Sequence, residues 1–261
     1  MNPVLQVKDL SQNFGGLRAL NDLSLEVRQR EIVALIGPNG AGKTTFFNCV
    51  TGIYTPTEGQ VFLFGPDGNK LLLNGRKPHQ ITALGMARTF QNIRLFGEMT
   101  VLENVMLGRH CRTHSGIFGA IMRDKKTRAE EQATVDISYQ LLESVGLASL
   151  WNEKARNLAY GAQRRLEIAR ALATDPGMLL LDEPAAGMNP QETQELQELI
   201  RNIMASRPVS ILLIEHDMSM VMSLSDRIYV MEYGSCIAEG TPAEIRANPR
   251  VIKAYLGEAD A

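Results

Sequence analysis

The residues best suited to chemistry form one glycine-rich loop at residues 37–45. It consists of Gly37, Pro38, Asn39, Gly40, Ala41, Gly42, Lys43, Thr44 and Thr45. Backbone N–H groups of such a loop can wrap the β- and γ-phosphates of a nucleotide, and a lysine adds a point charge. The Thr44 hydroxyl can ligate Mg²⁺. Because the loop follows the apolar run IVALI and opens a helical stretch, it predicts a nucleoside triphosphate site.

Two adjacent carboxylates, Asp182 and Glu183, end a second apolar run, MLLL. Transfer of a phosphoryl group to water needs a carboxylate for the metal and a group that orients or activates the water. If MLLL lies beside IVALI in a sheet, Asp182 reaches the Mg²⁺ ion and Glu183 points toward the in-line water. Acidic pairs are common at strand ends, so this pair alone would not indicate a catalytic role. The phosphate loop is the reason to assign Asp182 to the metal and Glu183 to the water.

A histidine and a glutamine are further candidates. His216 ends a third apolar run, ILLIEHD; a lone histidine is most often a structural residue, but this one shares a predicted sheet edge with the other polar groups. We therefore expect His216 to contact the γ-phosphate. Gln91, in ARTFQN, could reach the metal or the water through its amide, although the residue taken alone leaves its role open.

The stretch NLAYGAQRR, residues 157–165, leads into the helical pattern LEIARALA. Gly161 has two interpretations. It is a loop glycine whose backbone angle a side chain would forbid, or it keeps the backbone N–H groups of a helix start accessible to an anion. The stretch by itself favours the first.

The elements that must position these residues are those of an α/β protein. The three near-continuous apolar runs are typical of strands buried on both faces of a parallel sheet. After the second run, Asn189 and Pro190 predict a helix start, and an apolar stripe follows at Leu196, Leu199, Ile200 and Ile203. Strand, turn, helix and strand in this order predict a doubly wound core.

The periphery has a different pattern. Residues 5–27 and 60–73 alternate or carry turn signals and predict an antiparallel flank, and residues 227–242 predict a closing hairpin at Tyr233-Gly234. Residues 92–158 predict an inserted helical lobe, in which the basic run 122–128 is a solvated helix start.

Composition limits the classes of function. With 261 residues, 44% of them apolar, the chain can bury a sizeable core. Its 27 basic and 29 acidic residues nearly balance, so the basic surface usual in nucleic-acid binders is not expected. Three widely spaced cysteines favour a reducing compartment. No signal-peptide pattern and no apolar run of about 20 residues is visible, so we expect a cytoplasmic chain whose membrane role depends on partners.

In order, the motifs GPNGAGKTT, TFQN, LAYGAQRR, MLLLDEP and LIEHDM resemble those of the ATP-binding subunits of ABC transporters. The resemblance covers residues 5–256. It implies a P-loop NTPase fold of the RecA-like type and an ATPase that uses ATP and Mg²⁺. The motifs match the family's Walker A loop, Q-loop, signature, Walker B and switch histidine, and residues 186–189 match its D-loop. We expect a core with Walker A at 1–91, a helical subdomain at 92–162, and the rest of the core at 163–261.

The resemblance implies that two such subunits meet head to tail, with the signature helix of one facing the γ-phosphate held by the other. It assigns Phe14 to stacking on adenine, although a ring there could also belong to the core. The stretch after Gln91 lies where the family docks the permease. Phe96, Met99 and Val101 are therefore candidate contacts, the alternative being that they belong to the lobe core.

Within the family, the chain is most similar to the G-type ATP-binding protein of branched-chain amino-acid importers. Such subunits lie on the cytoplasmic face of the inner membrane and work with a second ATP-binding subunit, two permeases and an extracytoplasmic binding protein. A lipopolysaccharide exporter and a urea importer are the alternatives within the family. A soluble nucleic-acid-associated ATPase is the alternative outside transport.

The signature departs from the family's Leu-Ser-Gly-Gly-Gln. Ala159 replaces the serine, Tyr160 the first glycine and Ala162 the glutamine, whereas Gly161 is kept. Without a serine hydroxyl, this half-site depends on backbone N–H groups, and we expect it to be the weaker one of a pair. The D-loop ends in Asn189 where the family has aspartate, which removes a charge but keeps a capping oxygen.

Overall fold

The computed structural model describes residues 3–112 and 125–256. Its strands are β1 (Pro3–Phe14), β2 (Leu17–Arg28), β3 (Ile32–Ile36), β4 (Glu58–Phe64), β5 (Lys70–Leu72), β6 (Met86–Arg88), β7 (Met178–Asp182), β8 (Ser210–Ile214), β9 (Arg227–Glu232) and β10 (Ser235–Gly240). Its α-helices are α1 (Lys43–Val50), α2 (Pro78–Ala83), α3 (Val101–Arg109), α4 (Lys125–Ser144), α5 (Tyr160–Leu172), α6 (Pro190–Ser206), α7 (Met218–Leu224), α8 (Pro242–Ala247) and α9 (Pro249–Leu256).

The central sheet has the order β10-β9-β3-β8-β7-β6. All neighbours are parallel except β9 and β10, which form the predicted hairpin. The three apolar runs thus form a parallel sheet, as expected. However, MLLL (β7) does not lie beside IVALI (β3), because β8 lies between them. The carboxylates at the end of β7 are therefore one strand further from the phosphate loop than the sequence suggested.

A second sheet, β2-β1-β4-β5, is antiparallel throughout, which confirms the predicted flank. The hairpin between β9 and β10 turns where expected, with both turn residues at positive φ, Tyr233 at 44° and Gly234 at 79°.

The burial of β3 shows why its sequence, IVALI, is apolar at every position. All five are buried, and side chains alternate between the two faces of a strand. Val33 and Leu35 pack in a cluster with β1, β2 and α1, whereas Ala34 and Ile36 pack in a cluster with α7, α8 and α9. Since both faces are covered, neither can carry polar residues.

Two of the helices begin where their capping residues predict. Thr100 caps α3 and Asn189 caps α6, each in a reciprocal pair with a glutamate three residues later. The stripe Leu196, Leu199, Ile200 and Ile203 of α6 is buried as expected.

Within the predicted helical lobe, α3 and α4 pack on α5. Their buried apolar side chains belong to the same hydrophobic cluster as Leu179 and Leu181 of β7 and the buried apolar side chains of α6. The predicted basic helix start at 122–128 lies partly outside the described residues, and α4 begins at Lys125. In the described ranges, no helix combines the length and the apolar character needed to cross a bilayer.

Candidate active site

The glycine-rich loop joins β3 to α1, and its backbone path requires glycine at two points. A Cβ at Gly37 would lie 2.2 Å from the carbonyl oxygen of Met231, and one at Gly42 would lie 2.6 Å from that of Ala19. Gly42 also has φ at 103°, a value that side chains disfavour. The loop is thus packed between β2 and the β9–β10 hairpin.

Lys43, the first residue of α1, is buried and its ammonium group turns back over the loop. Its Nζ donates hydrogen bonds to the carbonyl oxygens of Gly37 (2.6 Å) and Pro38 (2.9 Å). No side chain caps α1, and its first turn has no acidic residue. Since a helix N-terminus carries a partial positive charge, this loop fits phosphate groups.

The register of the sheet brings the polar strand ends together. Leu35 of β3 pairs with Ile214 of β8, which pairs with Asp182 of β7. The residues that follow these strands therefore emerge at one edge. Although β8 separates the other two strands, the edge is shared as predicted.

Glu183 is held at this edge by two of the other candidates. His216 Nε2 lies 2.8 Å from Glu183 Oε1, and Gln91 Nε2 donates to Glu183 Oε2 over 2.7 Å. Two side chains from separate parts of the chain thus meet at the carboxylate of Glu183.

The backbone of Glu183 is strained, with φ at 47°. A left-handed conformation costs a non-glycine residue about 1–3 kcal/mol, and such strain is typical of functional sites. The conformation is supported by its N–H group, which donates to the carbonyl oxygen of Ile214 (2.9 Å). It turns the chain sharply after β7.

Asp182 is buried, whereas Glu183 is half-buried, and Asp182 has a partner that the sequence did not reveal. Arg88 Nη2 donates to Asp182 Oδ2 (2.7 Å), and Arg88 Nη1 donates to Asn48 Oδ1 (2.8 Å) and Thr51 Oγ1 (3.2 Å). Asn48 belongs to α1, the helix that Lys43 opens, so Arg88 links the second carboxylate to that helix. One feature of the sequence could have indicated this contact: Arg88 is a charged residue in a short, otherwise apolar strand, β6.

For a metal, the described residues contain no group of three His, Cys, Asp or Glu side chains able to hold an ion alone. A Mg²⁺ ion that shares phosphate oxygens needs only one or two protein carboxylates, so a single aspartate fits that role. Thr44, in the first turn of α1, is exposed and offers a hydroxyl.

Glu215 is a second residue that the sequence did not reveal. Its buried carboxylate accepts hydrogen bonds from the N–H groups of Ala185 (2.7 Å) and His216 (2.9 Å). Burial raises the pKa of Glu215. The carboxylate ties the turn after Glu183 to the histidine that contacts Glu183.

The helix α5 begins at Tyr160, after Ala159 at the N-cap position, and no side chain caps it. Gly161 lies in the first turn without a positive φ, so its interpretation as a loop glycine with a forbidden angle is wrong. A Cβ there would instead lie 3.0 Å from Oε1 of Glu192 on α6.

Comparison with known proteins agrees with this geometry. A family model described as ABC transporter matches residues 20–186, and one described as branched-chain amino acid ATP-binding cassette transporter matches residues 235–261. The chain is 52% identical, over 98% of its length and 99% of the relative's, to the high-affinity branched-chain amino acid transport ATP-binding protein LivG of Salmonella typhimurium. It belongs to the ABC transporter ATPases.

Other relatives of this cassette carry similar names. BraF of Pseudomonas aeruginosa, a high-affinity branched-chain amino acid transport ATP-binding protein, is 48% identical over 98% of this chain and 99% of its own. Among solved structures, a nucleotide-free ATP-binding cassette from an ABC transporter superposes with a TM-score of 0.81 at 30% identity, covering 97% of this chain and 98% of the other. The predicted fold class, an α/β nucleotide-binding cassette with ATPase activity, is confirmed.

The cassette's candidate adenine-stacking residue, Phe14, is 42% exposed and therefore is not a core residue. Its ring meets that of Tyr54 edge to face, with centroids 5.2 Å apart. The pair presents aromatic surface at the end of the β1 strand. Stacking on adenine stays a prediction.

The three candidate permease contacts differ in their exposure to solvent. Phe96 is 49% and Met99 37% exposed, but Val101 is completely buried. Val101 belongs to the same buried hydrophobic cluster as Val105 and Leu142, so its inclusion among the contacts was wrong. Helix α3 begins at Val101 and turns this residue inward.

Proposed function

We propose that this cassette binds ATP and Mg²⁺ at residues 37–45 and hydrolyses ATP to power uptake of the branched-chain amino acids leucine, isoleucine and valine through partner permeases. The observation that carries the proposal is the position of Glu183, which is held by His216 and Gln91 at the edge of the sheet where the phosphate loop begins. Such an arrangement suits a carboxylate that must accept a proton in one orientation.

The phosphate loop and the start of α1 would hold the nucleotide, with Lys43 released from its loop carbonyls to meet the phosphates. Thr44, Gln91 and Asp182 would hold the Mg²⁺ ion. A bound Mg²⁺ ion supplies charge neutralisation to the phosphate oxygens. Phe14 would stack on adenine, and Gly161 would face the phosphate held by a second subunit.

The chain's own residues prepare the attacking water. Glu183 accepts its proton, and His216 and Gln91 keep the two carboxylate oxygens fixed while this occurs. The hydrogen on His216 lies on Nε2 in this arrangement, because an ionised carboxylate can only accept. A fixed base is effective because proton transfer requires hydrogen-bond distance and direction.

The cargo and partners follow from the relatives. LivG and BraF are named as branched-chain amino acid transport ATP-binding proteins, and the C-terminal residues match a model of the same description. The partners would be two permeases, an extracytoplasmic solute-binding protein and a second ATP-binding subunit, a paralogue or a second copy. The cassette would lie on the cytoplasmic face of the inner membrane.

Replacing Glu183 tests the hydrolytic role. We expect Glu183→Gln to bind ATP, to lose hydrolysis by at least about 100-fold, and to accumulate as a nucleotide-bound dimer in size-exclusion chromatography. Glu198→Gln, an exposed glutamate of α6, is the matched control and should hydrolyse ATP at the parental rate. Parental hydrolysis by Glu183→Gln would exclude Glu183 as the base.

The cargo is tested by uptake of radiolabelled leucine into cells that lack their own system and express the chain together with the partner subunits proposed above. Uptake should depend on the parental chain and be lost with Glu183→Gln. Uptake of urea without leucine, or lipopolysaccharide export without amino-acid uptake, would support the alternative cargoes. A chain that does not sediment with membranes when the permeases are present would contradict a transport role.

A further inference from the structure

One face of α5 carries three polar residues that the proposed mechanism does not use. Tyr160, Arg164 and Glu167 are spaced by four and three residues, which places them on the same side of a helix. Tyr160 is one of the positions at which the signature departs from the family pattern.

Arg164 is the centre of this group and is completely buried. Its Nη1 donates to the carbonyl oxygen of Phe90 (2.7 Å), and its Nη2 donates to that of Gln91 (2.8 Å). Glu167 Oε2 accepts from Nη1 over 2.8 Å and compensates the buried charge. The rigid fork of the guanidinium thus holds two consecutive carbonyl groups, and the second belongs to the residue whose amide contacts Glu183.

Tyr160 makes the corresponding contact on the other side of the site. Its hydroxyl donates to the carbonyl oxygen of Ala186 (2.8 Å), and its ring lies against Gly187, where a Cβ would be 3.6 Å from the ring. The N–H group of Ala186 donates in turn to the carbonyl oxygen of Glu183 (3.2 Å). A glycine at position 160 could make neither contact.

We propose that Tyr160 and Arg164 are positioning residues for the ATPase reaction: Arg164 fixes the backbone from which Gln91 reaches Glu183, and Tyr160 fixes the turn that follows Glu183. The start of α5 is where a second subunit's phosphate would bind under the proposed function, on which this inference rests. One helix face then connects that end of α5 to the backbone of Gln91 and to the turn that follows Glu183.

Arg164→Lys tests the first half. Lysine keeps the charge beside Glu167, but a single ammonium cannot reproduce the fork on two carbonyls. We expect kcat to fall about 10- to 100-fold with KM for ATP within about twofold of the parent, because small misplacement of a reacting group acts on the chemical step. In a Gln91→Ala background, the same change should lower kcat by less than about twofold, since the group that it positions is absent.

Arg109→Lys is the matched control. Arg109, on α3, also donates to a carbonyl oxygen, that of Ala173, and to a carboxylate, that of Asp175, without touching residues 90 or 91. The Arg109→Lys substitution should leave kcat and KM at parental values.

A second measurement needs no nucleotide. Amide hydrogen exchange over residues 88–93 should be faster in Arg164→Lys than in Arg109→Lys. An equal kcat loss with and without Gln91, or parental kcat in Arg164→Lys, would overturn the role of Arg164.

Tyr160→Phe tests the second half and remains informative if Arg164→Lys does not fold. It removes one hydroxyl and keeps the ring, and one hydrogen bond is worth about a two- to tenfold change. We expect kcat to fall by about that factor, whereas loss of this one exposed hydrogen bond should lower the melting temperature by only a few degrees. Tyr139→Phe, a similarly exposed tyrosine on α4, is the control. Equal kcat values for the two variants would overturn the role of Tyr160.

Different outcomes would overturn the proposed function and the positioning roles of Tyr160 and Arg164. A parental chain that neither binds nor hydrolyses ATP would overturn both the proposed function and this inference. A parental chain that hydrolyses ATP while both positioning variants match their controls would overturn this inference alone.

Discussion

Among single side chains, the buried pair of Arg88 and Asp182 is the contact that local sequence gave least reason to expect. Both side chains are almost fully buried, and the guanidinium also holds Asn48 on α1. A buried ion pair adds little stability over an apolar pair, but loss of one partner leaves an uncompensated charge. The contact therefore fixes geometry more than it stabilises the fold.

Arg88→Leu should lower the free energy of unfolding by about 3–5 kcal/mol, because it leaves the Asp182 carboxylate buried without a cation. Adding Asp182→Asn should recover part of that loss. Urea denaturation measures both. Arg28→Leu, which breaks the exposed pair with Glu26, is the control and should cost about 1 kcal/mol or less. Equal losses for Arg88→Leu and Arg28→Leu would contradict the interpretation.

Ala159→Ser restores the hydroxyl that the signature lacks, and the structure predicts two separable effects. Position 159 is the N-cap of α5 and has no side-chain cap, so serine should stabilise the isolated chain by about 1 kcal/mol. The same hydroxyl should also increase ATP-driven dimerisation. Thermal unfolding without nucleotide reports the first effect, and light scattering with ATP and Glu183→Gln reports the second. Dimerisation unchanged from Glu183→Gln alone would contradict the predicted contact with the second subunit's phosphate.

At the level of helices and strands, the start of α6 shows how a local motif also serves the site. Asn189 Oδ1 accepts from the N–H group of Glu192, and Glu192 Oε2 accepts from that of Asn189, both at 3.0 Å. The same Glu192 side chain lies beside Gly161 on α5. The asparagine that replaces the family's aspartate thus keeps the cap.

Asn189→Ala should therefore cost about 1 kcal/mol of unfolding free energy, whereas Asn189→Asp should cost little, because an aspartate at this position also accepts the hydrogen bond and favours the helix dipole. Denaturant titration of both variants checks this. If the two substitutions are equally destabilising, capping is not what Asn189 contributes.

For the molecule as a whole, the central sheet contributes buried residues to all three hydrophobic clusters. Arg227 of β9 adds a polar link between the two sheets, since it donates to Glu31 Oε1 (2.9 Å) and to the carbonyl oxygen of Glu26 on β2 (2.9 Å). The antiparallel sheet and the parallel sheet are thus joined by apolar packing and by ionic contacts.

Global stability should depend on pH through the buried Glu215. Because burial raises its pKa, the folded chain keeps a proton that the unfolded chain has lost, and unfolding free energy falls as pH rises from about 4.3 through the raised pKa. Glutamine does not titrate, so the Glu215→Gln variant lacks this pH-dependent contribution. The unfolding free energy of the parental chain should therefore fall relative to that of Glu215→Gln as pH rises over this interval. The pKa of Glu167 is raised by burial in the same direction and cancels in the difference. Urea midpoints from pH 4.5 to 7.5 measure it, and a pH-independent difference would contradict it.

The features that the sequence determined by itself are those encoded by adjacent residues. The phosphate loop depends on glycines at fixed spacing, and the starts of α3 and α6 depend on a cap and a glutamate three residues later. The strands of the parallel sheet depend on short continuous apolar runs. Each is recognisable because its physical cause, a backbone angle, a capping bond or burial on both faces, acts within a few residues.

Tertiary structure decided which distant residues contact one another. The contacts of Arg88 with Asp182, Arg164 with Gln91, and Glu215 with Ala185 join residues 94, 73 and 30 positions apart. The insertion of β8 between β3 and β7 is of the same kind. Strand order and sheet register bring such groups to one edge, and neither is set by local spacing, because each depends on which distant surfaces bury one another.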